Sequence, residues 1–172
     1  MKQGQMPQAL EKTEQLISSK PRDAQGRFLK GLILTETGRQ QDAIAVFTKL
    51  TEDFPELPEP YNNLAVLYAQ QKQYDKARTA LEMAIRTHPS YSIAHENLGD
   101  VYSKLASQAY DKALKLDPKH GHSLFLAGAA AMERGDNKQG IAHWEALLLQ
   151  VEPGSEIDQM LRSGIDKMKA EK

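Results

Sequence analysis

The sequence predicts an all-α superhelix of antiparallel helix pairs, and three observations carry that prediction. Landmark residues recur 34 positions apart: Gly31 and Ala65, Ala43 and Ala77, Phe47 and Leu81, Pro55 and Pro89. Between the landmarks apolar residues fall at helical spacing, as in Leu64, Leu67, Tyr68, Tyr74, Ala77, Ala80, Leu81, Ala84 and Ile85. Each period closes on a proline, which lacks a backbone donor and clashes with the preceding turn, so the helix before it must end. One such helix pair cannot bury both of its faces, so neighbouring pairs must stack.

Counting Ala24 as position 1, residues 24–57 and 58–91 are regular repeats with small residues at positions 8 and 20 and a bulky one at position 24. The small residues let the two helices approach, and the bulky one fills the space beside them. Upstream, Gly4, Ala9 and Pro21 fit positions 15, 20 and 32, so residues 5–21 read as a half repeat, a second helix without its first. The next repeat, 92–120, is shortened: Pro89 and Pro118 lie 29 residues apart, five fewer than the period requires. From Ile93 to Leu116 there is no proline, and Gly99 stands at its usual helix-interior place. Leu98, Tyr102, Leu105, Ala109, Ala113 and Leu116 share an arc of roughly 80° at ~100° per residue. That predicts one helix over 93–116, about 36 Å long; the alternative is a tight turn near Ser103 to Ser107. A pair that does not fold back leaves apolar surface on both halves for another copy to cover. The expectation is a domain-swapped homodimer, the C-terminal repeat of each chain packing on the N-terminal repeats of the other.

Residues 121–154 form a further repeat, with Gly128, Gly135, Gly140 and Trp144 at positions 8, 15, 20 and 24 and Pro153 one place late. Residues 155–170 predict a capping helix, started by Ser155 with Asp158 three residues on. Its apolar stripe is Ile157, Met160, Leu161, Ile165 and Met168. The whole, 1–172, is expected to be a single domain.

Composition narrows the partners. The chain carries 22 Lys+Arg against 23 Asp+Glu, a net charge of -1. It lacks the basic surplus that displaces counterions from nucleic acid or attracts an anionic membrane surface. With no cysteine there is no disulfide, thiolate nucleophile or Cys-based zinc site. The start, MKQGQMPQALEK, has no apolar core of signal-peptide length, and no apolar run is long enough for direct membrane insertion. The protein is therefore expected in the cytoplasm, or in the periplasm if an N-terminal targeting segment was removed.

The period and its landmark positions resemble those of tetratricopeptide-repeat (TPR) proteins over nearly the whole chain. That resemblance implies a superhelix whose first helices line a concave, ligand-binding face, through positions 2, 5, 6, 9, 12 and 13. Carried over by register, these positions give Gln25, Phe28, Leu32, Thr35 and Glu36 in the first regular repeat. The second supplies Glu59, Asn62, Asn63, Val66, Ala69 and Gln70, and the shortened repeat Ile93, Glu96, Asn97, Asp100 and Lys104. The expected peptide-binding set is Phe28, Leu32, Glu36, Asn62, Asn63, Val66, Gln70, Glu96, Asn97 and Asp100. Asn63 and Asn97 hold the same position in consecutive repeats, and an amide both donates and accepts, so a ladder of them can grip a peptide backbone. Some TPR proteins clamp the terminal carboxylate of chaperone tails with Lys, Asn and Arg. Here Asn63 matches, but the cationic positions hold Phe28, Leu32, Ile93 and Asn97. The acidic lining leans towards neutral or basic segments.

Residues 21–117, including LTEDFPELPEPYNNLAVLYA and ENLGDVYSKLASQAYDKAL, resemble small proteobacterial TPR proteins. Residues 121–168, with AAAMERGDNKQGIAHWEALLLQVEPGSE, resemble the TPR segment of bacterial cytochrome c maturation factors, which are periplasmic and hold apocytochrome peptides. The expected function is a non-catalytic scaffold for a protein or peptide ligand; an envelope assembly factor is the alternative. No cofactor, catalytic or metal site is expected. His120 and His122 flank a glycine in an inter-repeat loop without a third ligand, and phosphate loops, GxSxG and HExxH are absent.

Overall fold

A computed structural model of the protein describes residues 6–170. It is all-helical, and the helices follow the 34-residue period: α1 Met6–Ser19, α2 Ala24–Glu36, α3 Gln40–Asp53, α4 Pro58–Gln70 and α5 Tyr74–Thr87. They continue as α6 Ser92–Leu116, α7 Gly121–Glu133, α8 Asn137–Leu148 and α9 Glu156–Ala170. Gly4, the landmark placed just before the expected half repeat, and Gln5, its first residue, lie outside the described residues. The chain divides into two compact units, Met1–Val101 and Tyr102–Lys172.

In the first unit α2 packs on α3 and α4 on α5, each pair joined by a three-residue turn. The turn needs one residue in the left-handed region. Gly38 (φ +76°) supplies it in the first pair, and Lys72 (φ +59°), 34 residues later, does so without a glycine's freedom. Phe47 is fully buried against Gly31, where a Cβ would stand 2.6 Å from the ring. Phe28 tilts against the same ring, with centroids 5.6 Å apart. Leu34, Ala43, Leu50, Leu64, Ala65, Leu67, Ala77, Leu81 and Ala84 complete this core. Arg27–Asp53 (2.7 Å) and Lys30–Glu14 (2.8 Å) tie α2 to α3 and α1 at the surface. Asp53 is held below the ordinary carboxyl range by Lys49 and Arg27, and Glu14 by Lys30.

The shortened repeat is one continuous helix of 25 residues, as its sequence predicts. The physical reason lies in what the deletion removes. With both flanks kept in register, positions 14–18 are missing, and position 15 is where Gly38, Lys72 and Gly135 adopt positive φ. No residue remains to break the helix. Within the first unit, α6 buries Ala94 and Val101.

In the second unit α7 packs on α8, and α9 packs on α8. The core gathers Leu124, Trp144, Leu147, Leu161, Ile165 and Met168, with Leu114 packed against it. Trp144 is the centre: a Cβ at Gly128 on one side or Gly164 on the other would overlap its ring. Phe125 stacks on it with 10° between the planes, and the indole N–H donates to the Phe125 carbonyl at 3.0 Å. Gly164 is a packing glycine that the period does not reach.

On α9 the expected stripe is corrected in part. Leu161, Ile165 and Met168 are buried, but Ile157 and Met160 are 51% and 47% exposed. Asp158 takes the buried place in the first turn instead. Its backbone N–H donates to Ser155 Oγ at 3.2 Å, while its carboxylate accepts from the Gly154 N–H at 3.1 Å and from Arg162 Nε at 3.0 Å. Arg162 first, then the Gly154 N–H, hold this carboxyl below its ordinary range. Its stabilisation is therefore present above the unfolded-state pKa of about 4 and is lost as pH falls through the lower folded-state value. The thermal midpoint of the second unit is expected to drop between about pH 5 and pH 2. Asp158→Asn should already be weaker at neutral pH and show a shallower drop; an unchanged pH profile in a full titration would count against this cap.

Candidate peptide-binding face

The first helices α2 and α4 and the first part of α6 supply the face to which the expected residues belong. Proline shapes its entrance. Leu57 precedes Pro58 at the start of α4, and Pro60 is buried one step further in the same turn. Between this turn and α2 lies a cleft of about 300 Å³ lined by Gln25, Phe28, Leu57, Glu59 and Pro60. Its floor is apolar and its rim carries one amide and one carboxylate. Phe28 cannot retreat, because its ring is held against Phe47.

Further along, the amides are organised differently from the simple ladder. Asn97 Nδ2 donates to Asn62 Oδ1 at 2.8 Å, and Asn62 is only 7% exposed. Asn63, the register equivalent of Asn97, donates into its own helix, to the Glu59 carbonyl at 2.9 Å. The buried amide thus fixes the orientation of the half-buried one. Gln70 accepts from Gln40 Nε2 at 3.0 Å, in a chain where Gln71 donates to Gln40 (3.4 Å) and Gln73 to Gln71 (2.9 Å). Leu32 is half-buried on α2, while Val66, Glu36, Glu96 and Asp100 are exposed. The structure therefore brings Phe28 to the cleft and joins Asn62 to Asn97. Glu36, Val66, Glu96 and Asp100 line neither the cleft nor the amide pair.

Tyr91, outside the expected set, belongs to this neighbourhood. Burial first, then the nearby Glu59 carboxylate, push its hydroxyl above the ordinary tyrosine range. Leu57 and Tyr91 sit in the connectors, and Pro60 in the first turn after one, where helical register assigns no face. A second cleft of about 400 Å³ runs along α4 and α5, with Tyr61, Tyr68, Lys76 and Met83 in its wall. The Lys76 ammonium lies 5.5 Å over the Tyr68 ring. The His120–His122 stretch serves the fold, since His120 caps α7 with its Nδ1 accepting the Ser123 N–H at 3.3 Å. Among the described residues no group of three His, Asp or Glu side chains is placed to hold a metal ion, and no helix is long and apolar enough to cross a membrane.

Two sequence profiles, both described as tetratricopeptide repeat, match residues 34–98 and 1–58. A tetratricopeptide repeat domain-containing chloroplast protein of Arabidopsis thaliana, PYG7, is 37% identical over 73 residues, 40% of this chain and 24% of that protein. General transcription factor 3C polypeptide 3 of Homo sapiens is 26% identical over 152 residues, 82% of this chain and 17% of its own length. The chain thus spans about a quarter or less of these two relatives. Among solved structures, MamA from Desulfovibrio magneticus aligns with a TM-score of 0.57 at 23% identity, covering 88% of this chain and 89% of that one. YrrB, described as a TPR protein with an unusual peptide-binding site, aligns with a TM-score of 0.56 at 17% identity, covering 92% and 93%.

Proposed function

The chain belongs to the tetratricopeptide-repeat family, and we propose that it is a non-catalytic scaffold that holds an extended protein segment against its first helices and works as a homodimer. The observation that carries the binding reading is the cleft between α2 and α4, where Phe28, Leu57 and Pro60 form an apolar floor between Gln25 and Glu59. At about 300 Å³ it suits one bulky apolar side chain. The Asn62–Asn97 pair presents an oriented amide for the segment's backbone. Exposed Glu36, Glu59, Glu96 and Asp100 favour neutral or basic residues around that anchor. A fold neighbour described as having a peptide-binding site supports peptides as the ligand class. Dimerisation is supported by α6, which runs as one continuous helix where a folded-back pair stands elsewhere.

Selection from a displayed library of random 12-residue peptides tests the binding reading. The expected winners carry one bulky apolar residue flanked by Lys or Arg. Phe28→Ala should weaken them at least tenfold, Asn97→Ala several-fold, and Glu59→Lys should reverse the charge preference. Binding that survives Phe28→Ala and Asn97→Ala but is lost with Tyr68→Ala would move the site to the α4–α5 cleft and overturn this assignment.

A further inference from the structure

One glycine in the protein has a packing position but nothing packed on it. In each complete pair the small residue at position 8 and the bulky residue at position 24 are both buried: Gly31 and Phe47, Ala65 and Leu81, Gly128 and Trp144. For Gly31 and Gly128 the fit is so close that a Cβ would collide with the ring. Gly99 holds position 8 of the shortened repeat, yet it is exposed, and a Cβ there would meet nothing within 4 Å.

The matching ring exists. Counting back from Pro118 as position 32 makes Ala106, Tyr110 and Ala113 positions 20, 24 and 27. Those positions are buried in every complete pair (Ala43, Phe47, Leu50; Ala77, Leu81, Ala84; Gly140, Trp144, Leu147) and only half-buried here. Tyr102 at position 11 is 49% exposed. Tyr110 cannot reach Gly99 on its own chain, because eleven residues of one unbroken helix separate them by about 16 Å.

Eleven residues are also almost three whole turns, so Gly99 and Tyr110 share one face of α6 to within about 20°. A notch and a ring on the same face can be satisfied twice at once by an identical helix running the other way. We propose that two copies of this chain pair through α6 in antiparallel fashion, with Tyr110 of each copy seated on Gly99 of the other. This rests on the homodimer reading above and specifies its contact. The twofold axis then passes between Lys104 and Leu105, and each half of α6 recovers the helix that the deleted turn denies it. The symmetry is closed, so pairing stops at two.

The chain has no cysteine, which makes disulfide trapping clean. The Gly99→Cys and Tyr110→Cys variants, co-expressed and oxidised, should give a covalent heterodimer, while neither should cross-link when expressed alone. Gly99→Leu adds a second measurement whose sign decides. In an unpaired helix it fills open space and raises the melting temperature, as replacing a helix-interior glycine does. In the pair it blocks the ring, and the dimer dissociation constant should rise at least tenfold in sedimentation equilibrium. Native protein that is monomeric at all concentrations would overturn both the contact and the homodimer reading. A native dimer that gives Gly99→Cys self-cross-links, or that tolerates Gly99→Leu, would overturn the contact and leave the homodimer reading standing.

Discussion

Trp144→Ala is expected to destabilise the second unit by about 3–5 kcal/mol. The indole is 5% exposed and fills a slot whose two walls are the backbones at Gly128 and Gly164. Those walls belong to α7 and α9, and helix backbone does not collapse into a vacancy as a flexible side chain would. The cavity therefore persists, which places the cost at the upper end of its class. Phe125 also loses its stacking partner. A unit of about 70 residues holds roughly 4–10 kcal/mol in all, so much of the unit's stability should vanish. Far-UV circular dichroism during thermal unfolding measures it. Trp144→Phe keeps a ring in the slot and should lose far less. A fall in midpoint of only a degree or two for Trp144→Ala would mean that the slot closes, contrary to the two-glycine geometry.

Phe47→Ala should cost about 3–5 kcal/mol in the first unit for a related reason. Phe47 is fully buried, rests on Gly31 and braces Phe28. Its loss should therefore weaken peptide binding as well as the fold, because Phe28 forms the floor of the cleft. Gly31→Leu alone should also be damaging, by about 1–3 kcal/mol or more, since the new side chain collides with the ring. Combined, the two changes exchange notch and knob, so the double variant should lose less than the sum of the single ones. Urea unfolding of the four proteins gives the coupling directly. Additive losses would show that Gly31 and Phe47 do not meet.

Much of this was legible in the chain. The 34-residue spacing of Ala43 with Ala77 and Phe47 with Leu81 marks which residues go inside, because a period is read along the chain without knowledge of its neighbours. The unbroken α6 was legible for the same local reason: the deleted positions include the left-handed turn residue that every complete pair uses. The site was less so. Register matched Asn97 with Asn63, but the structure pairs Asn97 with Asn62. Neighbouring residues on a helix point about 100° apart, and only the folded placement of Asn97 beside Asn62 selects between them. Leu57 and Tyr91 lie in connectors, where no periodicity operates.

Composition and period, then, were enough for the fold class, the helix boundaries near Pro55 and Pro89 and the place of the broken repeat, since each depends on short-range backbone preference. The slot between Gly128 and Gly164, the direction of the Asn97 amide and the empty notch at Gly99 had to come from three dimensions. They depend on the offset and rotation of one helix against another, and no single helix encodes that relation.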